Sequence, residues 1–365
     1  MNILAVDQQP TKFAGGQERS LFEVLTQLSQ KPDTKISLCY QEEGELLESY
    51  RDFVVYERRI SNRVFSSSKF PGMLLDVLKL YGAHFRRQWN VIYCNQYFDL
   101  PIFTLLSRLT GIKLACHLRL MCPHYLSHQY RWGLVSAHVL IANSEAVKQS
   151  YIDAGIPEHK FRVVPNRINI KEWKPDGIPP KNPKPIFGYF GRLCKEKGIL
   201  DLIHAFGKMK VSAELHIYGN VRGAGTEDDF LEQCKLAARE SGKQNDIHFF
   251  PHTSEVAKAM QTCDVIVLPS WEESFGRILL EAMALEIPVI ATNVGGVPEV
   301  LGDEFANGLV EVKSAEKLAR AMDTFSDWRT KDPSLGMRAR KYVIDHFSDY
   351  NLGTQIMSAL KGEKF

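Results

Sequence analysis

Two glutamates, Glu273 and Glu281, lie eight residues apart on either side of Gly276. The apolar run 264–269 before them is typical of a buried parallel strand, and the helix-forming residues after Gly276 predict a helix. Glu273 would then lie in the loop after the strand, and Glu281 about one and a half turns into the helix. Carboxylates at two depths could each bind paired hydroxyls of one ligand. A capping carboxylate followed by an exposed helical glutamate would produce the same spacing.

A second predicted strand, 186–190, is followed by a loop that carries two cations, Arg192 and Lys197. A helix is expected after this loop, over 199–209. Cations at a strand-to-helix crossing, together with backbone N–H groups, suit a pyrophosphate. The helix start near Phe275 would add further N–H donors for anionic oxygen.

Two glycine pairs occur in loops that precede predicted helices, Gly15-Gly16 and Gly295-Gly296. Because glycine has no side chain beyond hydrogen, such a pair lets the backbone approach a ligand closely. A plain helix start with glycine in the turn would explain the first pair equally well.

In order and spacing, these segments resemble the retaining glycosyltransferases of family 4, which transfer a sugar from nucleotide-diphosphate donors. The resemblance covers nearly the whole chain and is strongest in GRLCKEKG at 191–198, Glu-x7-Glu at 273–281 and Gly-Gly-x-x-Glu at 295–299. It implies an α/β protein with the GT-B fold. Two Rossmann-like domains, each with a doubly wound parallel sheet, would face each other across a cleft.

The resemblance also implies roles for individual residues. Arg192 and Lys197 would bind the donor diphosphate, Glu273 the hydroxyls of the transferred sugar, and Glu281 the ribose. The implied donor-binding set is Gly15, Gly16, Arg192, Lys197, Glu273, Ser274, Phe275, Gly276, Glu281, Gly295 and Gly296. The implied catalytic set is His117, Glu273, Arg192 and Lys197.

His117 ends a short predicted strand, 113–117, where family members place a histidine. It would contact the transferred sugar or the phosphates and help to polarise the reaction, although a histidine at a strand end also suits a structural role. The chain departs from the family pattern nearby, with Arg119 after His117 and Arg167 after Asn166. These two cations could recognise a phosphate or acidic sugar of the acceptor, or they could be salt-bridged structural residues.

The family mechanism needs no protein nucleophile, because a phosphate oxygen takes the proton of the acceptor hydroxyl. The sequence contains no Asp-x-Asp, so we expect neither a metal nor another cofactor. The expected partners are a nucleotide-sugar donor and a saccharide or lipid-linked glycan acceptor of polysaccharide or lipopolysaccharide biosynthesis, and no nucleic acid. A nucleotide-sugar epimerase of the same fold and a non-catalytic nucleotide-sugar-binding protein are the alternatives.

The length of 365 residues, with 44% apolar and 24% charged residues, is typical of two soluble globular domains. We expect an acceptor-binding domain over 1–168 and a nucleotide-sugar-binding domain over 186–348. A linker is expected over 169–185, a segment interrupted by five prolines and one glycine. The last segment, 349–365, would form a helix that crosses back to the first domain.

Seven cysteines without pairing or metal-ligand spacing favour a reducing cytoplasm, and no signal peptide or membrane span is predicted. Cations outnumber acidic residues in the first half of the chain. Within it, the segment 58–87 combines seven cations and one anion with many apolar residues. This combination suits peripheral contact with the inner, anionic face of a membrane, or else a core-facing helix with a solvated basic edge.

Overall fold

A computed structural model of the protein describes residues 1–11, 16–61, 65, 70–177, 182–221 and 228–363. It divides the chain into two compact units. The first consists of Met1–Asn166 with Tyr350–Phe365, and the second of Arg167–Asp349. The segment 169–185, expected to be a linker, thus belongs to the second unit. Among the described residues, no helix is both long and apolar enough to cross a membrane.

In its described residues, the first unit forms a seven-stranded parallel sheet in the order β3-β2-β1-β4-β5-β6-β7. The strands are β1 Asn2–Asp7, β2 Lys35–Tyr40, β3 Val54–Arg59, β4 Val91–Cys94, β5 Lys113–Leu118, β6 Val139–Ala142 and β7 Phe161–Val163. The helices are α1 Gly16–Ser29, α2 Leu46–Arg51, α3 Phe70–Arg87, α4 Leu100–Thr110, α5 His128–Ser136 and α6 Glu145–Asp153. Strands β4 and β6 are buried along their whole length, as expected for a parallel sheet covered by helices on both faces.

The chain returns to the first unit at its end. The last helix, α15 (Leu352–Lys361), packs against α1. The Gly353 N–H donates to Gln27 Oε1 at 2.8 Å, and Lys31 Nζ lies 2.8 Å from Thr354 Oγ1. A Cβ on Gly353 would lie 3.0 Å from Gln27 Cβ, so glycine allows the two helices to approach closely.

In the described part of the second unit, six strands form another parallel sheet, in the order β10-β9-β8-β11-β12-β13. They are β8 Ile186–Phe190, β9 Glu214–Tyr218, β10 Ile247–Phe250, β11 Val265–Leu268, β12 Val289–Thr292 and β13 Leu309–Val310. The helices are α7 Ile199–Lys208, α8 Asp228–Glu240, α9 Val256–Gln261, α10 Arg277–Ala284, α11 Val297–Leu301, α12 Ala315–Phe325, α13 Trp328–Lys331 and α14 Leu335–Phe347. The doubly wound parallel sheets predicted from the sequence are confirmed in both units.

Each sheet has a point at which its strand order reverses, between β1 and β4 in the first unit and between β8 and β11 in the second. In doubly wound sheets, ligands bind outside the carboxyl ends of the strands at this switch point. The loops that follow these four strands are therefore the places to search for functional side chains.

Candidate functional site

The loops after β8 and β11 meet at the switch point of the second sheet. Lys197 lies in a 3-10 turn after β8, and its Nζ donates to Glu273 Oε2 at 2.6 Å. Both side chains stay partly accessible, at 21% and 15% exposure. A backbone bond from Trp271 N–H to Glu196 O, 2.8 Å long, joins the same two loops. Two opposite charges thus lie side by side at the place where a ligand is expected.

Glycine is required at two points of these loops. Gly198 has a φ of +68°, and a Cβ there would lie 1.9 Å from the carbonyl oxygen of Pro269. Gly295 has a φ of +53°, and its Cβ would lie 1.8 Å from the carbonyl oxygen of Glu273, which also accepts from Gly296 N–H at 3.1 Å. Gly295 therefore holds the Glu273 loop in place, a packing reason that the sequence did not reveal.

Glu281 lies in α10, which begins after Gly276 in the left-handed conformation. The Glu281 carboxylate accepts from Arg277 Nε at 3.1 Å, and the residue is only 6% exposed. The alternative of an exposed helical glutamate is therefore wrong for Glu281. Sequence reasoning did not identify Arg277 as its partner, although the i, i+4 spacing of opposite charges was the available signal. Glu273 does not cap α10, because Gly276 occupies the N-cap without a side-chain bond.

The remaining predicted donor residues of the second unit differ in their exposure. Arg192 is exposed, and its carbonyl oxygen accepts from the Tyr189 hydroxyl at 2.7 Å. Phe275 is buried, with its ring edge-on to Phe347 at a centroid distance of 6.1 Å. Ser274, the residue before Phe275, is partly buried. The structure thus joins Lys197 to Glu273, whereas Phe275 contributes its side chain to the core.

In the first unit, His117 lies on β5 within a network of buried polar side chains. Its Nδ1 lies 2.6 Å from the Tyr93 hydroxyl and 3.2 Å from Arg119 Nη2. Arg119 also donates from Nε to Asn95 Oδ1 and from Nη1 to Asn166 Oδ1, each at 2.9 Å. His117 is 1% and Arg119 3% exposed.

The network fixes the protonation of His117. Burial, and secondly the charge of Arg119, lower the pKa of this imidazole well below its ordinary 6.5, so the ring is neutral near pH 7. A guanidinium can only donate, so Nδ1 must accept and the ring proton lies on Nε2. Among the described residues, His117 Nε2 is buried and has no hydrogen-bond partner. His117 therefore offers one N–H donor.

Both cations that depart from the family pattern contact protein groups. Arg119 is buried in the network above, which favours the structural alternative for this residue. Arg167 belongs to the second unit, where it donates from Nη1 to the carbonyl oxygen of His346. Burial lowers the pKa of Arg167 from its ordinary value.

The first glycine pair is described only in part. Gly16 is the exposed first residue of α1, and Gly15 lies outside the described residues. The neighbouring Gln17 accepts at its carbonyl oxygen from Asn95 Nδ2 at 3.5 Å. The loop after β4 thus reaches the start of α1 at the switch point of the first sheet.

Sequence reasoning missed Tyr93 as a neighbour of His117 and Asn95 as a partner of Arg119. No spacing signal connects either pair, because Tyr93 and Asn95 lie on or directly after β4, whereas His117 and Arg119 lie on or directly after β5. They meet because β4 and β5 pair in parallel, with Tyr93 opposite Ala115. Only the strand order could place Tyr93 beside His117 and Asn95 beside Arg119.

Two family models match the chain. One, described as "Glycosyl transferases group 1", matches residues 171–342, and the other, "Glycosyltransferase Family 4", matches residues 14–172. The capsular polysaccharide biosynthesis glycosyltransferase CapM of Staphylococcus aureus is 26% identical over 234 residues, which are 64% of this chain and 59% of that protein. The uncharacterized glycosyltransferase MJ1607 of Methanocaldococcus jannaschii is 29% identical over 221 residues, 56% of this chain and 55% of that protein. The match thus spans little more than half the length of these relatives.

Among solved structures, Anabaena HepE in complex with UDP and glucose is similar to this chain, with a TM-score of 0.82. The alignment covers 99% of this chain and 100% of that one, at 22% identity. At this level of identity the likeness shows the fold, and the GT-B fold predicted from the sequence is thereby confirmed.

Proposed function

We propose that this chain, which belongs to the family 4 glycosyltransferases, transfers a sugar from a nucleotide-diphosphate-sugar donor to a saccharide or lipid-linked glycan acceptor, with retention of configuration. The observation that carries the proposal is the contact between Lys197 and Glu273 at the switch point of the second sheet. An ammonium group suits a diphosphate, and a carboxylate suits the hydroxyls of a sugar. The pair offers both chemistries side by side, as a nucleotide-sugar requires.

In the proposed reaction, the acceptor hydroxyl attacks the anomeric carbon from the face on which the diphosphate leaves. The bond between sugar and diphosphate breaks as the new glycosidic bond forms, and a phosphate oxygen takes the acceptor proton. Arg192, Lys197 and the N-terminus of α10 stabilise the charge that grows on the diphosphate. The proposed reaction uses no protein nucleophile and no metal ion.

The ion pair holds the side chains of Lys197 and Glu273 next to each other before the donor binds. Lys197 and Glu273 are partly accessible, so a ligand can reach both groups and replace their mutual contact with its own. In the proposal, the diphosphate takes over Lys197 while the sugar hydroxyls occupy Glu273. Glu281, oriented by Arg277, binds the ribose, and the Phe275 and Gly276 backbone faces the donor.

In the first unit, we assign to His117 a hydrogen bond from Nε2 to an oxygen of the transferred sugar or of the diphosphate. The buried, neutral imidazole supports this role. Tyr93 and Arg119 hold the ring at Nδ1, so the N–H at Nε2 is left to donate to a ligand. Arg119 and Tyr93 then act as positioning residues. For Arg119, this replaces the predicted contact with an acceptor.

The acceptor class is proposed from two observations. The relative CapM acts, by its description, in capsular polysaccharide biosynthesis. In addition, helix α3 supplies a surface that would suit lipid-linked substrates at a membrane.

The compartment is proposed from the cysteines. All cysteines of the chain are free, which suits a reducing cytoplasm. We therefore place the protein at the inner face of a membrane.

Helix α3 has two apolar faces. Met73, Val77 and Leu80 are buried in the first unit. The opposite face exposes four large apolar side chains at helical spacing: Leu74, Leu75, Leu78 and Phe85, which are 42–65% exposed. Lys79 and Arg86 are exposed beside this face. An exposed apolar stripe flanked by cations is typical of a helix that lies on an anionic membrane. Arg63 and Lys69, also counted in the predicted membrane segment, lie outside the described residues.

Vesicle co-sedimentation tests the membrane contact. Vesicles with anionic lipid should bind the protein at low salt. Leu74→Ser with Leu78→Ser should reduce binding about tenfold or more, since each substitution removes exposed apolar area that contact with the membrane would bury. Leu236→Ser, at a side chain 48% exposed in the second unit, is the matched control and should change nothing. Equal binding of all variants would contradict the assignment to α3.

The reaction is tested by incubating the protein with nucleotide-sugars and measuring diphosphate release with and without a saccharide acceptor. UDP-sugars come first, because HepE was solved with UDP and glucose. Acceptor-dependent release that Lys197→Ala abolishes would support the transferase. Binding without release would show a binding protein, and isomerisation of the donor without release an epimerase.

A further inference from the structure

Three side chains with metal-ligating groups converge on β9 and β10, at one side of the second sheet. His216 Nε2 lies 3.2 Å from Glu214 Oε2, and His248 Nε2 lies 3.9 Å from the same oxygen. Each residue offers one ligand atom, and these three atoms lie within 4.8 Å of one another. The cluster has no role in the proposed transfer.

The backbone explains the convergence. Glu214 and His216 are two residues apart on β9, so their side chains point to the same face of the sheet. His216 lies directly opposite His248 in the parallel pairing of β9 with β10. The two rings stand nearly perpendicular, at 86°, with centroids 5.3 Å apart. The three groups are thus placed by paired strands and not by a loop.

We propose that Glu214, His216 and His248 bind one divalent transition-metal ion, and that Zn²⁺ is the ion that fits best. Two imidazoles and one carboxylate form a common zinc ligand set, and imidazole favours Zn²⁺, Co²⁺ or Ni²⁺ over Mg²⁺ and Ca²⁺.

The distances fit such an ion. Metal–ligand bonds of about 2.0–2.2 Å place neighbouring ligand atoms roughly 3–3.5 Å apart. The 3.2 Å between His216 and Glu214 already meets this requirement. His248 Nε2, 3.9 Å from the same Glu214 oxygen, must approach this oxygen by roughly 0.5–1 Å to reach the spacing of neighbouring ligand atoms. Its side chain is 43% exposed, which leaves room for this movement on the solvent side.

The surroundings favour a bound cation. The ring of Phe250 lies 5.2 Å from that of His216, and Tyr218 stacks on Phe250 at 4.5 Å. These rings cover the His216 side of the cluster, where the side chain is 13% exposed, and limit water access there. The neighbouring cation Lys184 is compensated by Asp246, which accepts from its Nζ at 2.8 Å.

The proposed ion would lie away from the donor residues. Glu214 is the first residue of β9, whereas Lys197 and Glu273 follow the carboxyl ends of β8 and β11. Since all these strands are parallel, Glu214 lies at the other end of the sheet from the donor residues, and His216 and His248 lie one to two residues further along β9 and β10. The ion would therefore tie β10 to β9 and stabilise the second unit, without contact with the diphosphate.

Metal titration of the full chain, purified without a histidine tag and stripped with a chelator, tests the proposal. We expect one equivalent of Co²⁺ to bind with a visible absorption band, and Zn²⁺ to displace it and raise the Tm. His216→Ala and His248→Ala should each weaken Co²⁺ binding about tenfold or more, because each removes one of three ligands. His204→Ala, at an exposed histidine on α7, is the control and should bind normally.

His248→Ala is the safer variant, because this side chain is the more exposed of the two histidines. Absence of Co²⁺ binding at millimolar concentration would overturn the proposal and leave His216 and Glu214 as a hydrogen-bonded pair. Equal binding by His248→Ala and the wild type would overturn it as well. Neither result would bear on sugar transfer, since a chelator should leave diphosphate release unchanged.

Discussion

The candidate catalytic side chains of the two units lie in opposite electrostatic surroundings. In the second unit, Lys197 and Glu273 form an ion pair at 21% and 15% exposure. In the first, His117 and Arg119 are 1% and 3% exposed, and the histidine is held by hydrogen bonds rather than by an opposite charge. One region presents accessible charge, whereas the other presents a neutral donor.

The difference follows from what burial does to charge. An ion pair close to water keeps both charges at little cost and can exchange partners. A buried imidazole beside a cation is held neutral, because its protonated form would be both desolvated and repelled. We therefore expect activity to fall when a charge of the ion pair is removed. In the buried network, activity should depend on the hydrogen bonds of His117, and stability should depend on pH.

The largest effect should come from removing a charge of the ion pair. Lys197→Ala should lower kcat/KM about 10²–10³-fold, because the diphosphate loses a positioned cation in the transition state. Initial rates of diphosphate release in the presence of acceptor measure this. Lys195→Ala removes an exposed cation from the same 3-10 turn and should cost less than about threefold. Equal losses in both variants would mean that Lys197 has no specific role.

The buried histidine should instead make stability depend on pH. Its pKa is lowered in the folded state, so the unfolded chain takes up a proton near pH 6.5 that the folded chain refuses. The stability contributed by His117 is thus present above that pH and is lost as the pH falls below it, by up to about 1.4 kcal/mol per pH unit. Urea unfolding at pH 5.5–7.5, about one unit either side of the ordinary histidine pKa, measures how the free energy of unfolding changes with pH. A His117→Gln variant with the wild-type slope would refute the prediction.

In the second unit, the buried carboxylate should affect nucleotide affinity. Glu281→Gln should weaken binding of a nucleoside diphosphate about tenfold, since a charged acceptor binds ribose hydroxyls more strongly than an amide. The glutamine oxygen can still accept from Arg277, so the fold should survive. Isothermal titration measures the affinity, and Glu272→Gln, at an exposed neighbour of Glu273, should bind like the wild type.

The smallest expected effect is the loss of one neutral hydrogen bond in the first unit. Tyr93→Phe should lower kcat about three- to tenfold, because His117 keeps Arg119 but loses its shorter contact. Tyr151→Phe is the matched control, as this buried hydroxyl has no hydrogen-bond partner among the described residues. Steady-state kinetics with both variants compares them; similar rates in the two would argue against a positioning role for Tyr93.

Much of the second-unit site could be predicted from the sequence. Lys197, Glu273 and Gly295 were found from residue type, loop position and resemblance, because strand–loop–helix units have clear local patterns. Their mutual contacts could not be predicted. Lys197 and Glu273 are 76 residues apart, and only the adjacency of β8 and β11 brings them together.

The first unit shows more clearly which contacts could not be predicted from the sequence. His117 was predicted from its strand end and from the family resemblance, but its partner Tyr93, and Asn95, the partner of Arg119, carry no signal. The cluster of Glu214, His216 and His248 is similar, because its third member comes from a neighbouring strand. In both places, pairing between strands decides which side chains meet.

The sequence by itself determined the alternation of strands and helices, the two parallel sheets and the loops that carry the reactive residues. These features depend on periodicity and on turn residues, which are properties of neighbours along the chain. Only the tertiary structure decided that Glu281 is buried with Arg277, that Lys197 is paired with Glu273 and that His117 is neutral. Burial and the distance between charges set these states, and both depend on strand order and packing across the fold.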